Sequence, residues 1–160
     1  MYRKIIAPLD GSKLAECALP HLEELAKALK PEEVVLISVT ERIAGRTRAP
    51  EMGELARASS VAPVPVEVGK LQRQAERYLE RIARRMESKG IKARTEVLLG
   101  SPAEEIVHYA EENAVDLIVM ASHGRSGPSR WAFGSVADKV FRASCVPVLM
   151  IRAPGCVPGV

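Results

Sequence analysis

Residues 116–135 read DLIVMASHGRSGPSRWAFGS. A short apolar run through Leu117, Ile118, Val119 and Met120 stops at a Ser-His-Gly turn. A loop carrying Gly127, Arg125 and Arg130 follows, and then Gly134-Ser135 opens a segment with helical spacing. Strand, glycine-rich turn and helix start together offer several backbone N–H groups to a single anion. Nothing else in the chain points so directly at a ligand, and the ligand it points at carries phosphate.

Outward from this stretch the same alternation repeats. Residues 4–9 read as a buried strand ending at the Asp10-Gly11 turn, and residues 34–39 (VVLISV) as a second. Between them Ser12 is placed to cap a helix whose apolar face holds Leu14, Ala18, Leu22, Leu25, Ala26 and Leu29, with Pro20 expected to kink it. Residues 70–89 carry Leu71, Ala75, Tyr78, Leu79, Ile82 and Met86 on one side, and Gly90 is the stop. A third strand is expected over 92–99. Ser101-Pro102-Ala103-Glu104 combines a cap, a first-turn proline and a capping-box glutamate ahead of a helix reaching Asn113. The fourth strand is 116–120, and the last helix is 134–143 with a capping box between Ser135 and Asp138. Residues 146–151 (VPVLMI) form the fifth strand. The order is β-α-β-α-β-α-β-α-β. Near-continuous apolar strands alternating with amphipathic helices predict an α/β, Rossmann-like domain whose five-stranded parallel sheet has helices on both faces. One domain over 1–153 and a flexible tail over 154–160 are expected, and residues 40–66, with their prolines and serines, read as an irregular connection.

The bulk composition narrows the classes. Among 160 residues, 47% are apolar and 27% charged, as in an ordinary globular protein, while aromatics at 4% leave Val, Ile, Leu and Ala to build the core. That scarcity also argues against base-stacking platforms for single-stranded nucleic acid. A net charge of +3, from 23 basic and 20 acidic residues, is too mild to imply a DNA or RNA partner. Arg73, Arg77, Arg81, Arg84 and Arg85 make a basic helix face, for which solvation is the default reading. No apolar stretch approaches a membrane span, the start MYRKIIAPLDG has no signal-peptide core, and Cys17, Cys145 and Cys156 lack metal-ligand spacing. A cytoplasmic, reduced setting is expected.

Ligands of open parallel sheets sit beyond the carboxyl ends of the strands, where neighbouring connections diverge. Asp10, Val39-Thr40 and the loop from Ser122 to Ser135 all occupy such ends. A carboxylate at one end and an anion-binding turn at another suit a nucleotide, the first accepting from ribose hydroxyls and the second holding phosphate. The loop is neither G-x-x-x-x-G-K-[ST] nor G-x-G-x-x-G. On the residues alone it is open whether its glycines bind phosphate or only turn the chain.

The sequence resembles the universal stress protein family, whose ATP-binding branch carries Gly-x-x-Gly, nine residues, then Gly-Ser or Gly-Thr. Here that reads Ala121-Ser122-His123-Gly124, nine residues from Arg125 to Phe133, then Gly134-Ser135. The likeness spans the chain, from the opening Ile-Ile-Ala-Pro-Leu-Asp-Gly-Ser to the Val-Pro-Val-Leu near the end. It implies strand order 3-2-1-4-5 and an adenine nucleotide, ATP, with Mg2+ or Mn2+ held through its phosphates. By the same resemblance Pro8 and Asp10 would lie against the adenosine and Val39 would present backbone to the adenine edge. Gly124, Arg125, Ser126 and Gly127 would wrap the phosphates, and Gly134, Ser135 and Val136 would close the site. Ala121 stands where the family has its first glycine. If that position needs a positive φ, alanine costs about 1 kcal/mol; if it is strand-like, the cost is a methyl group near the ribose.

His123 has no visible Ser/Asp relay and reads as a loop histidine bonded to backbone. Arg125 and Arg130 either screen phosphate charge or are solvated, and Ser135 either meets phosphate or caps its helix. The function expected is that of an ATP-binding regulator or sensor in the stress response with weak or no hydrolysis. A slow metal-dependent ATPase or nucleotidyl-transfer enzyme and a nucleotide-free dimeric scaffold are the alternatives. Residues 40–66 would form a flap over the nucleotide. The apolar fifth strand, from Val146 to Ile151, would pair with its own copy in a homodimer.

Overall fold

A computed structural model describes residues 2–40, 66–123 and 134–152, with backbone alone at 66–68. The five strands are β1 (Lys4–Pro8), β2 (Glu33–Thr40), β3 (Arg94–Leu99), β4 (Leu117–Ala121) and β5 (Val148–Ile151). The helices are α1 (Leu19–Leu29), α2 (Val66–Glu87), α3 (Pro102–Glu112) and α4 (Ser135–Ala143). The sheet is parallel throughout, in the order β3-β2-β1-β4-β5. The period of two along β1 explains why both its faces are apolar. Ile5 and Ala7 point into a cluster with Leu19 and Leu22 of α1 and Leu79, Ile82 and Met86 of α2. Ile6 points the other way, into Ile106 and Tyr109 of α3 and Ala137 and Val140 of α4. Each fully buried Ile or Leu contributes about 1.5–3 kcal/mol of transfer free energy. No described helix is long and apolar enough to cross a membrane.

Several helix starts differ from expectation. Pro20 does not kink a long helix; a 3-10 turn over Ala15–Ala18 comes first, and Pro20 then sits in the first turn of α1, where its missing N–H costs nothing. Ser12 does cap, its Oγ accepting from the Ala15 N–H at 3.1 Å, but it caps the 3-10 turn. α2 begins at Val66, four residues before the amphipathic signal, and Gly90 ends it with φ of 79° as expected. Ser101 and Gly134 hold the cap positions of α3 and α4, yet neither helix has a side-chain cap. Ser135 is the first residue of α4, and Asp138 pairs with Arg142 at 3.0 Å instead of closing a box.

The amino ends of β1 and β4 are joined by one carboxylate. Asp116 Oδ2 accepts from the backbone N–H of Arg3 at 2.7 Å and of Lys4 at 2.8 Å. Those two bonds, Lys4 first, hold its carboxyl below the usual aspartate range. A depressed carboxyl adds stability above its unfolded pKa, and that stability disappears as pH falls through the folded value. Asp116→Ala should therefore destabilise the protein at neutral pH in urea denaturation. The gap from wild type should close as pH drops below about 4, the ordinary aspartate range. A gap independent of pH would show that the ionised carboxylate is not the cause.

Candidate functional site

β1 leads through α1 to β2 on one side, while β4, which arrives from β3, lies on the other. The helices after β1 and β2 cover one face and those after β3 and β4 the opposite face. The chain therefore diverges at the carboxyl ends of β1 and β4, and a crevice must open there. Of the residues expected at the site, Pro8, Asp10, Val39, Ala121, Ser122, His123, Gly134, Ser135 and Val136 are described, on β1, β2, β4 and the start of α4 or just beyond the strand ends.

Pro8 closes β1, and the Leu9 N–H donates to Ile37 O at 2.7 Å as the last backbone bond from this segment to β2. The chain then turns at Asp10-Gly11. Asp10 Oδ1 accepts from the Ser12 N–H at 2.9 Å, and Gly11 takes φ of 83°, a left-handed value that glycine adopts without strain. Across from this turn is Val39. Ile37 O faces β1, and Thr40 O accepts from Gly100 N on the β3 side at 3.0 Å. Alternation then aims the backbone of Val39 toward the position β1 vacates when it turns at Asp10.

On the β4 side Ala121 is the last strand residue, paired with Ile151 and 6% exposed. It is not among the described residues with positive φ, so the strand-like alternative holds at this position. Ser122 is the knot of the site. Its N–H donates to Ile151 O at 2.7 Å, its carbonyl accepts from Gly134 N at 2.8 Å, and its Oγ lies 3.0 Å from His123 Nδ1. Both side chains are buried, at 3% and 4% exposure. His123 thus has the adjacent serine hydroxyl as a partner, a contact that the sequence reading lacked. The Ser122–Gly134 bond brings the start of α4 directly beside the end of β4. The first N–H groups of α4 have no side-chain cap, since Gly134 has none to offer, and Ser135 is exposed. Val136 packs against the α3/α4 core and orients that first turn. Gly124, Arg125, Ser126 and Gly127, with Arg130, Trp131 and Phe133, lie outside the described residues. The proposed flap does too, apart from its ends at Thr40 and Val66. Among the described residues no three His, Cys, Asp or Glu side chains cluster as a metal site.

Tyr78 of α2 was expected only as an apolar core position. Its ring packs against the core under α1, and its buried hydroxyl makes no well-formed hydrogen bond among the described residues. Burial first, then the Glu16 carboxylate, by its charge and as the nearby acceptor for the hydroxyl proton, and more weakly Asp10, push the hydroxyl above the usual phenol range, with Arg81 opposing. The group stays protonated, and Arg81 lies 5.5 Å from its ring centre. No sequence signal separates such a tyrosine from a satisfied one.

An open parallel sheet with helices on both faces and connections that diverge at the carboxyl ends of β1 and β4 defines a doubly wound α/β protein, a class whose ligands sit beyond the strand ends. The chain belongs to the universal stress protein family, whose sequence model matches residues 1–152. It is 36% identical over 156 residues to universal stress protein MJ0577 of Methanocaldococcus jannaschii, covering 95% of this chain and 96% of that one. It is 32% identical to universal stress protein YxiE of Bacillus subtilis, covering 95% and 100%. The solved structure of MJ0577 superposes with a TM-score of 0.77 over 97% of this chain and 99% of that chain, at 34% identity. A universal stress protein solved in complex with cAMP shares the fold at a TM-score of 0.68 and 21% identity, covering 95% and 98%.

An unsatisfied buried hydroxyl costs about 1–3 kcal/mol. Tyr78→Phe keeps the ring and its contact with Arg81, so chemical denaturation should show a gain of about 1 kcal/mol. A loss of stability would show that the Glu16 carboxylate accepts the hydroxyl proton in solution.

Proposed function

We propose that this chain binds ATP in the crevice between β1 and β4 and acts as a nucleotide-dependent regulator or sensor in the stress response. The observation that carries the reading is the 2.8 Å bond from Gly134 N–H to Ser122 O. It ties the two ends of the glycine-rich loop together and sets the uncapped start of α4 beside the end of β4, the strand that neighbours β1. Phosphates are held by the loop, Gly124 to Gly127, and by the amides of Gly134, Ser135 and Val136. The Asp10 carboxylate, which accepts from the Ser12 N–H at the end of β1, is an acceptor of the kind that ribose hydroxyls need. Pro8 and Ala121 supply apolar contact to the nucleoside, and Val39 offers the adenine edge its backbone. Mg2+ or Mn2+ comes with the phosphates. Ser122 and His123 shape the base of the loop. The reading assigns no general base, because His123 Nδ1 is engaged by Ser122 and the described residues offer no paired carboxylates at the crevice. Retention of nucleotide is favoured over turnover.

The same reading includes a homodimer through β5. The strand lies at the sheet edge, and Pro147 O and Ile151 O point inward to β4. Alternation therefore turns the backbone of Val148 and Met150 outward, toward an unpaired edge. Leu149 is 37% exposed there, and no charge interrupts the strand before Arg152. Val146 precedes the strand, with Ser144 Oγ bonded to its N–H and carbonyl at 3.0 Å.

Calorimetry with MgATP should give saturable binding, and Gly124→Val should abolish it without lowering the melting temperature. Absence of heat at millimolar ATP would favour the nucleotide-free scaffold. Hydrolysis near 1 per second or faster, lost in a Gly134→Val variant, would favour the enzyme. For the dimer, Leu149→Lys places a charge on the exposed edge and leaves the core untouched. Sedimentation should move from dimer to monomer, and a wild-type monomer at tens of micromolar would remove the edge contact from the proposal.

A further inference from the structure

We propose that the basic stripe of α2 docks on the acidic stripe of α3 in a second copy of this chain, so that copies stack face to face. At 100° per residue, Lys70, Arg73, Arg77, Arg81, Arg84 and Arg85 fall within about 120° of arc. Between 70 and 85 the two acids, Glu76 and Glu80, lie outside it. All six cations are exposed. Arg84 reaches Glu80 at 3.6 Å, Arg85 reaches Glu16 at 3.8 Å, and Arg81 lies over Tyr78. Lys70, Arg73 and Arg77 have no ion-pair partner among the described residues. Like charges four apart, such as Arg73-Arg77 and Arg77-Arg81, destabilise a helix, whereas a merely solvated face gains from mixing signs. The segregation calls for an anionic surface.

The chain carries one. α3 (PAEEIVHYAEE) has no lysine or arginine, and Glu104, Glu105, Glu111 and Glu112 share another arc of about 120° with His108. Glu104, Glu111 and Glu112 are exposed, and only Glu112 is paired within the helix, to His108 at 3.2 Å. The neighbouring elements add Lys139, Arg142 paired with Asp138, and Arg94 bonded to the Tyr109 hydroxyl. The two stripes sit on opposite layers over the same part of the sheet. α2 packs on β2 and β3, and α3 packs on β2 from the other side. A copy displaced along the sheet normal therefore brings α3 over α2 with little sideways offset. Two α2 faces or two α3 faces repel, so the contact is heterologous and repeats from copy to copy.

Exposed ion pairs are individually weak and screened by salt. The association should appear at about 300 µM protein in about 20 mM salt and vanish in about 500 mM. Sedimentation equilibrium should give a weight-average mass about two-fold or more above the high-salt value. Arg73→Glu with Arg77→Glu in one chain, or Glu104→Lys with Glu111→Lys in another, should each remove the increase. An equimolar mixture of the two variants should restore it. A wild-type mass independent of salt, an increase that survives either double variant, or a mixture that stays at the high-salt mass would overturn the proposal. The Leu149→Lys chain, run alongside, should keep the salt dependence whatever its basal state, which separates this contact from the β5 edge.

Discussion

The pairing of β1 with β4, which are not consecutive strands, is the constraint on which the rest of the molecule depends. β1 is shielded completely at Ile5, Ile6 and Ala7 and alternates its side chains into two separate cores. Such a strand needs a neighbour on each edge and a helical layer on each face. β2 takes one edge. Right-handed crossovers then put α1 and α2 on a single face as the chain moves outward to β3. Only a return across the sheet to the other side of β1 allows α3 and α4 to cover the second face. The Asp116 carboxylate secures the amino end of that pair, and the crevice at the carboxyl end is its geometric consequence. The place proposed for the ligand thus arises from topology before any polar side chain is considered.

The strands, their order and the two layers were legible because short apolar runs and 3.6-residue periodicity are strong signals, and the family resemblance supplied the order. Helix starts were less legible. Pro20 was read by its position inside an apolar pattern, but the pattern spans a 3-10 turn and a helix that share one buried face. A first-turn proline is as compatible with that as an interior kink. Val66-Glu67-Val68-Gly69 carries no amphipathic signal, and Pro65 before it reads as a loop residue although proline also precedes helices. The capping boxes at Ser101 and Ser135 failed for another reason. Sequence names a residue able to cap, whereas the bond depends on a rotamer and on which residue takes the cap position.

The candidate site was legible as a set of positions and less so as a mechanism of assembly. Asp10, Val39 and Gly134 were found from strand ends and motif spacing. What the sequence could not show is that Ser122 joins three elements through its own backbone and hydroxyl, to β5, to the start of α4 and to His123. That arrangement also accounts for alanine at position 121. The backbone there is ordinary β4 ladder, which alanine adopts without strain. Tyr78 was hidden because a tyrosine on an apolar stripe looks the same whether or not its hydroxyl is paired.

The surfaces of this plate-like sheet serve different physical ends, and this separation has a cause. The carboxyl end offers backbone amides and a carboxylate, groups whose usefulness depends on fixed geometry and is supplied by buried strands. The β5 edge offers unpaired backbone and exposed Leu149, which favour another strand. The helical faces are left to side-chain charge, and here the signs are sorted, basic on α2 and acidic on α3. Charge on an exposed helix does little for folding, so segregation of this kind is not explained by stability. It changes instead how whole molecules meet. The proposed contacts would draw on different forces: hydrogen bonding to fixed dipoles, burial of apolar edge, or screened Coulomb attraction. Salt, substitution at Leu149 and loss of a loop glycine should therefore act on them one at a time.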